Sequence, residues 1–233
     1  MALDADPETA RPVTRQSARP QPLHWSLVIP VKVLAQAKSR LIGIADQRRS
    51  ELALAMAADT IAAAVSARSV SAVLVVTDDP AVTDIAAGLG ALVVPDAPAA
   101  GLNEALAYGA ALSEATWPER GRAGLAGDLP AARPEALTAA LAAAARLGAA
   151  FVPDADGTGT VLYAAAPGTQ FRPQFGPASR DKHLAIGAVE IGTVARESTR
   201  FAGLRRDVDT MEDLRLAADI GLGPRTRQLL ARP

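Results

Sequence analysis

The 233-residue chain contains no cysteine, which removes disulfides, thiolate nucleophiles and cysteine-based zinc sites together. Histidine is nearly as scarce, since His24 and His183 are the only two, and a histidine-rich metal centre is excluded with it. A metal used here must be held by oxygen, which favours magnesium or manganese. Charge of either sign is not in excess: the formal net charge is −1, against a nucleic-acid coat or a membrane-surface patch. No run of roughly 20 uninterrupted apolar residues, the length needed to span a bilayer, is present. The longest candidate, "ALTAALAAAARLGAAFV", is mostly alanine and is broken by Arg146 and Gly148. The first residues, "MALDADPETARPVTRQSARPQP", lack the apolar centre of a secretory signal. Their composition is that of a disordered lead-in over 1–23, so a cytoplasmic protein with one domain over 24–233 is expected.

What is present alternates strand and helix. "WSLVI" at 25–29 is a short apolar run of the kind a fully buried strand shows. A helix is expected from Asp46 to about Arg68, with Leu52, Met56, Ala57 and Ile61 near one face. The strand "VSAVLVV" at 70–76 leads to "TDDP", where Asp79 is placed to cap a helix opening on Pro80. A strand "ALVV", a helix from Leu102 to about Glu114, a weak strand "AGLAG" at 123–127 and a helix over 134–146 follow. Strands near 150, 162 and 190 look inserted or antiparallel. This order predicts a largely parallel α/β sheet with helices on both faces. Open sheets of that kind bind ligands beyond the carboxyl ends of their strands.

The chemistry-bearing residues cluster at such ends. Lys32, Lys38 and Arg40 follow the first strand within nine positions. A single cation there is an ordinary solvated residue, but three after a buried strand fit a triphosphate. Neither the phosphate loop G-x-x-x-x-G-K-[ST] nor the dinucleotide fingerprint occurs. "GDLP" sets Asp128 just past the weak strand, and "RRDVDT" supplies Asp207 and Asp209 two residues apart. In extended backbone that spacing turns both carboxylates to one side, and a hard divalent ion relieves their repulsion. Thr210 with Asp213 reads as a helix cap and leaves the two aspartates available. "DADGTGT" at 154–160 reads as a nest of backbone N–H groups for an anion, with Thr160 adding a hydroxyl. Gly176 and Ser179 stand where a helix begins, a favourable place for carboxylate or phosphate; an ordinary capped loop is the competing reading. His183 is expected in packing rather than as a base.

Taken in order, "PVKVLAQAKSRL", "TDD", "GLNEAL", "GDLP", "DGTGT", "FGPAS" and "DVDT" resemble the guanylyltransferases of coenzyme F-420 biosynthesis, the group typified by 2-phospho-L-lactate guanylyltransferase. The resemblance spans about residues 25 to 230. It implies a single-domain nucleotidyltransferase fold, glycosyltransferase-A-like and Rossmann-like, with a mostly parallel mixed sheet. It implies GMP transfer from GTP to phosphoenolpyruvate, with pyrophosphate leaving. By the same resemblance Asp128, Asp207 and Asp209 hold Mg2+ or Mn2+. Thr160, Gly176 and Ser179 contact phosphoenolpyruvate; Lys32, Lys38 and Arg40 contact the GTP phosphates, and Asn103 lies by the nucleoside. Ala178 departs from the family, which often has glycine there. Still open are 2-phospho-L-lactate or 3-phospho-D-glycerate as acceptor, a molybdopterin cytidylyltransferase, a non-catalytic nucleotide sensor, and a homodimer.

Overall fold

The computed structural model describes residues 23–34, 45–97 and 99–232. Lys38, Arg40 and the lead-in up to residue 22 lie outside them. The central strand is β1 (Trp25–Pro30), whose first five residues are at most 1% exposed. Alternation along β1 divides the core. Leu27 and Ile29 join one cluster with Ile61, Leu137 and Leu204, while Val28 joins a second with Leu106, Phe151 and Tyr163. A strand buried on both faces has no polar side to show, which is why it reads as a continuous apolar run.

Parallel to β1 lie β2 (Val70–Val76) on one side and β4 (Gly121–Leu125) on the other. Beyond β2 is β3 (Leu92–Val94); beyond β4 come β6 (Thr160–Ala165), β5 (Ala149–Pro153) and β7 (Val189–Glu190). The order is β3-β2-β1-β4-β6-β5-β7, and β6 is antiparallel to both its neighbours. Because β6 is reversed, its first residue, Thr160, lies at the same rim as the last residues of β1, β2, β4 and β5. That rim is where the sequence motifs gather.

The helices are α1 (Asp46–Val65), α2 (Pro80–Gly88), α3 (Leu102–Thr116), α4 (Pro134–Leu147), α5 (Ser179–Ala185), α6 (Ala195–Arg205), α7 (Met211–Ile220) and α8 (Pro224–Leu230). Residues of α1, α2, α4 and α6 cover the Leu27 face, and those of α3 cover the Val28 face. Two expected boundaries are corrected. The weak strand runs over 121–125 rather than 123–127, paired with β1 from Trp25 to Val28. Its glycines fit there because Gly121 lies under the Trp25 ring and Gly124 against Leu106, where a β-carbon would collide. Helix α1 ends at Val65, not near Arg68, since Ala67 N–H turns back to Ala64 O and Val70 N–H to Ala67 O.

Two buried side chains of α1 reach far along the chain. Asp59 accepts the N–H groups of Arg225 (3.1 Å) and Thr226 (2.8 Å), capping α8 from outside it. Thr60 donates to Met56 O and accepts the N–H of Leu129 at 3.0 Å. The second bond fixes the loop that carries Asp128.

Candidate active site

Three residues past the end of β4, Asp128 accepts through its carbonyl the N–H of Val208, at 3.2 Å. One main-chain bond therefore brings together segments 80 positions apart. Val208 is fully buried, while Asp207 and Asp209 on either side of it are half-buried. Their segment is pinned from both sides. Upstream, Arg205 donates to Pro153 O (3.2 Å) and Asp154 O (2.7 Å) at the end of β5. Downstream, Thr210 caps α7 in the expected capping box with Asp213. Arg206 lies 3.5 Å from Asp213 and 3.8 Å from Asp156.

The outcome is a carboxylate under strong electrostatic pressure. Burial, then the charge of Asp128, then the charges of Asp154 and Asp209, push Asp207 from its ordinary 3.8 up to about 7; only its own backbone N–H pulls the other way. Among the described residues, no three such side chains are drawn tightly enough to hold an ion as they stand. They are neighbours rather than a closed cage. Their donor chemistry nonetheless fits a hard divalent cation, because a carboxylate whose pKa its acidic neighbours raise, as at Asp207, is stabilised by neutralisation. Asp154 is a member of this cluster that the sequence motif contained without marking.

A test of that pressure follows from linkage. Between pH 4 and about 7 the folded protein keeps a proton on Asp207 that the unfolded chain has lost. The contribution of Asp207 to the stability of the metal-free protein is therefore greatest below pH 4, falls as pH rises through this window, and levels off above about 7. Denaturant melts in a chelating buffer with the other carboxylates common to wild type and D207N isolate the effect. Curves for the two proteins that stay parallel from pH 4 to 8 contradict it.

On the opposite side of β1, Lys32 lines a cavity of about 330 Å3 with Pro30, Asp78, Asp96, Gly101 and Leu102. Asp79 caps α2, as expected, accepting Ala81 N–H (2.9 Å) and Val82 N–H (3.3 Å). Its other oxygen accepts Leu34 N–H at 2.9 Å, which steers the chain leaving β1. The proposed partners of Lys32, Lys38 and Arg40, lie outside the described residues.

Thr160, Gly176 and Ser179 are drawn together around α5. Thr160 and Ser179 are buried. The Ser179 hydroxyl has no hydrogen-bond partner among the described residues, an arrangement that normally calls for explanation by a ligand or water. Gly176 has φ +109°, with open space where a β-carbon would be. Ala178 caps α5 in the left-handed region at φ 55°, the conformation for which glycine is suited.

Much of the polar backbone of these loops is satisfied within the protein. The N–H groups of Thr158 and Gly159 do not form an anion nest, because the carboxylate of Asp154 accepts both (2.9 and 2.7 Å). At the start of α5, Arg180 N–H is given to Thr158 O at 3.2 Å. Gly127 packs closely on the end of β1, where a β-carbon would come within 3.3 Å of Pro30 O. Asn103 holds the loop before α5: its amide donates to Phe175 O (3.0 Å) and accepts Phe175 N–H (2.7 Å).

Comparison with known proteins places the chain in a family. The chain is 53% identical over 210 residues to the phosphoenolpyruvate guanylyltransferase of Thermomonospora curvata, covering 90% of each chain. It is 51% identical over 211 residues to the protein of that name from Streptomyces coelicolor, covering 90% of this chain and 97% of the relative. Among solved structures, a nucleotidyl transferase from Methanothermobacter thermautotroptrophicus superposes with a TM-score of 0.54 at 20% identity, covering 84% of this chain and 97% of the other. A putative nucleotide-diphospho-sugar transferase from Desulfovibrio desulfuricans gives the same TM-score at 15% identity, with the same coverage. Those two likenesses establish the nucleotidyltransferase fold. Residues 25–230 match the family described as "Guanylyl transferase CofC like", and with that match the chain belongs to the guanylyl transferase CofC-like family.

Proposed function

We propose that this enzyme transfers GMP from GTP to the phosphate of phosphoenolpyruvate in coenzyme F-420 biosynthesis. An oxygen of the acceptor phosphate forms a bond to the α-phosphorus of GTP, the α–β phosphoanhydride bond breaks, and pyrophosphate leaves. That oxygen is already anionic, so no residue needs to remove a proton. The obstacle is repulsion between two polyanions. Unit charges 4 Å apart interact by about 1 kcal/mol in water and by about 4 kcal/mol near a protein surface.

The observation that carries this reading is the acidic cluster of Asp128, Asp207 and Asp209 at one rim, with the Lys32 cavity and the Thr160 hydroxyl at the same rim. Mg2+ or Mn2+ held by Asp128, Asp207 and Asp209 would supply the positive charge between the two substrates. Lys32, Lys38 and Arg40 are assigned to the triphosphate and stabilise the departing pyrophosphate. Thr160, Gly176 and Ser179 are assigned to the acceptor's carboxylate and phosphate, with Asn103 holding their loop. Asp78 and Asp96 offer hydrogen-bond acceptors to the N1–H and N2–H groups of guanine, a match that cytosine lacks.

Pyrophosphate release tests the proposal. GTP with phosphoenolpyruvate is expected to give a kcat/KM roughly tenfold or more above 2-phospho-L-lactate, 3-phospho-D-glycerate or any CTP mixture. Release with CTP alone points to a cytidylyltransferase. GTP binding without release under any acceptor points to a sensor, and either result overturns the proposal. No helix among the described residues is long and apolar enough to cross a membrane.

A further inference from the structure

One buried ring touches all three segments assigned to the acceptor. His183 is four residues beyond Ser179 on α5 and is 0% exposed. Its Nδ1 lies 2.9 Å from the hydroxyl oxygen of Thr160. Its Nε2 accepts the main-chain N–H of Gln174 at 3.1 Å, two residues before Gly176. Tyr163 and Phe151 stack on the ring at 4.7 and 5.4 Å, and Phe175 meets it edge-on at 5.7 Å. Such a packed ring has no freedom to flip or swing.

The hydrogen-bond directions then follow from which groups can donate. A main-chain N–H only donates, so Nε2 must be the bare nitrogen. A neutral imidazole with a bare Nε2 carries its proton on Nδ1. That proton goes to Thr160, whose oxygen is thereby an acceptor. The hydrogen of Thr160 itself is forced to point elsewhere. Burial, opposed in part by the Ser179 main chain, lowers the His183 pKa to about 4, so the ring stays neutral in the physiological range.

We infer that His183 is the positioning residue of the acceptor site: as the Nδ1–H tautomer it fixes the Thr160 hydroxyl as a hydrogen-bond donor to the phospho-acid and hangs the Gln174–Gly176 loop from Nε2. The inference rests on the assignment of Thr160, Gly176 and Ser179 to the acceptor. It deepens that assignment by naming what sets the direction of the hydroxyl. A hydroxyl free to rotate recognises a donor as readily as an acceptor; one fixed as a donor selects for an anion.

Nitrogen-15 NMR of histidine-labelled protein at pH 7 reads the tautomer directly, with only His24 to distinguish. A protonated Nδ1 and bare Nε2 are expected, and a proton on Nε2 overturns the inference. Kinetics supply the second arm. Thr160→Val and His183→Gln, the latter keeping an acceptor for Gln174 N–H, should each raise the KM for phosphoenolpyruvate about tenfold or more, with the KM for GTP unchanged. The double variant should be no worse than the poorer single one, since both act through one hydrogen bond. His183→Asn, which restores a donor near Nδ1, should recover part of the loss. Additive losses, or a GTP KM that rises equally, reduce His183 to packing and overturn the inference. An unchanged acceptor KM in Thr160→Val removes Thr160 from the acceptor site and the inference with it, while pyrophosphate release in the wild type leaves guanylyl transfer standing. Were His183→Gln not to fold, the tautomer of the wild type and the KM of Thr160→Val decide the matter by themselves.

Discussion

Replacing Asp207 by asparagine should lower kcat/KM on the order of a thousandfold and at the same time raise the melting temperature of the metal-free protein at pH 8. The two effects share a cause. A rise from 3.8 to about 7 corresponds to roughly 4 kcal/mol between the protonation states of Asp207. At pH 8 the folded protein carries that charge against burial and against Asp128, Asp154 and Asp209. Asparagine keeps the shape and removes the charge, so the fold gains stability. The gain shrinks as pH falls from 7 toward 4, where the wild-type carboxyl is itself protonated. The same substitution removes an anionic ligand for the cation that the two substrates need, and turnover is lost by an amount typical of deleting one electrostatic group at a reacting phosphate or carbonyl. Steady-state pyrophosphate release and thermal melts in chelating buffer measure the two halves. A variant that turns over near the wild-type rate, or melts lower than wild type at pH 8, contradicts the placement of Asp207 in the cluster.

How far the sequence discloses this site depends on the range of the interactions involved. The alternation from β1 to β5 is written locally, because parallel strands buried on both faces must be apolar throughout and α2, between β2 and β3, carries its own cap in Asp79. The Asp207–Asp209 pair is legible for the same reason, since two carboxylates on one side of an extended segment need a counter-charge wherever they are. Its joining to Asp128 is supported by resemblance beforehand and by the Val208–Asp128 main-chain bond afterwards. Strand β4 is misplaced by two residues because glycine and alanine carry no strand preference of their own. It is a strand because β1 and β6 flank it and because the Trp25 ring admits only glycine at 121. Contacts across the chain leave no local trace at all. Thr60 holding Leu129, Asp59 holding Thr226 and Asn103 holding Phe175 span 69, 167 and 72 positions, and each such polar residue reads in isolation as an ordinary helix position. Asp154 shows the converse difficulty. Its motif is conspicuous, yet the nest it suggested is filled by its own carboxylate.

Gly203 offers the second large effect, in stability and activity together. Lying in α6, it reads from propensity as a position where alanine should stabilise by about 1 kcal/mol. Packing predicts the reverse. A β-carbon at 203 would be driven into the carbonyl oxygen of Ala131, with the carbonyl carbon 2.8 Å away and the Ala131 β-carbon at 3.4 Å. Backbone cannot step aside as a flexible side chain can, so α6 must move off the 128–131 loop. That loop is tethered through Thr60 to Leu129 N–H and through Pro130 O to Gly223 N–H, and α6 runs straight into Asp207 and Asp209. Separation of the two strains or breaks the Val208–Asp128 bond that assembles the acidic cluster. Gly203→Ala is therefore expected to cost about 1–3 kcal/mol in denaturant unfolding, the usual range for overpacking, and to lower kcat/KM by on the order of tenfold or more as the carboxylates drift apart. If Gly203→Ala instead melts higher than wild type with its activity intact, α6 does not press on the Asp128 loop as closely as described, and the proximity of the three aspartates loses its structural support.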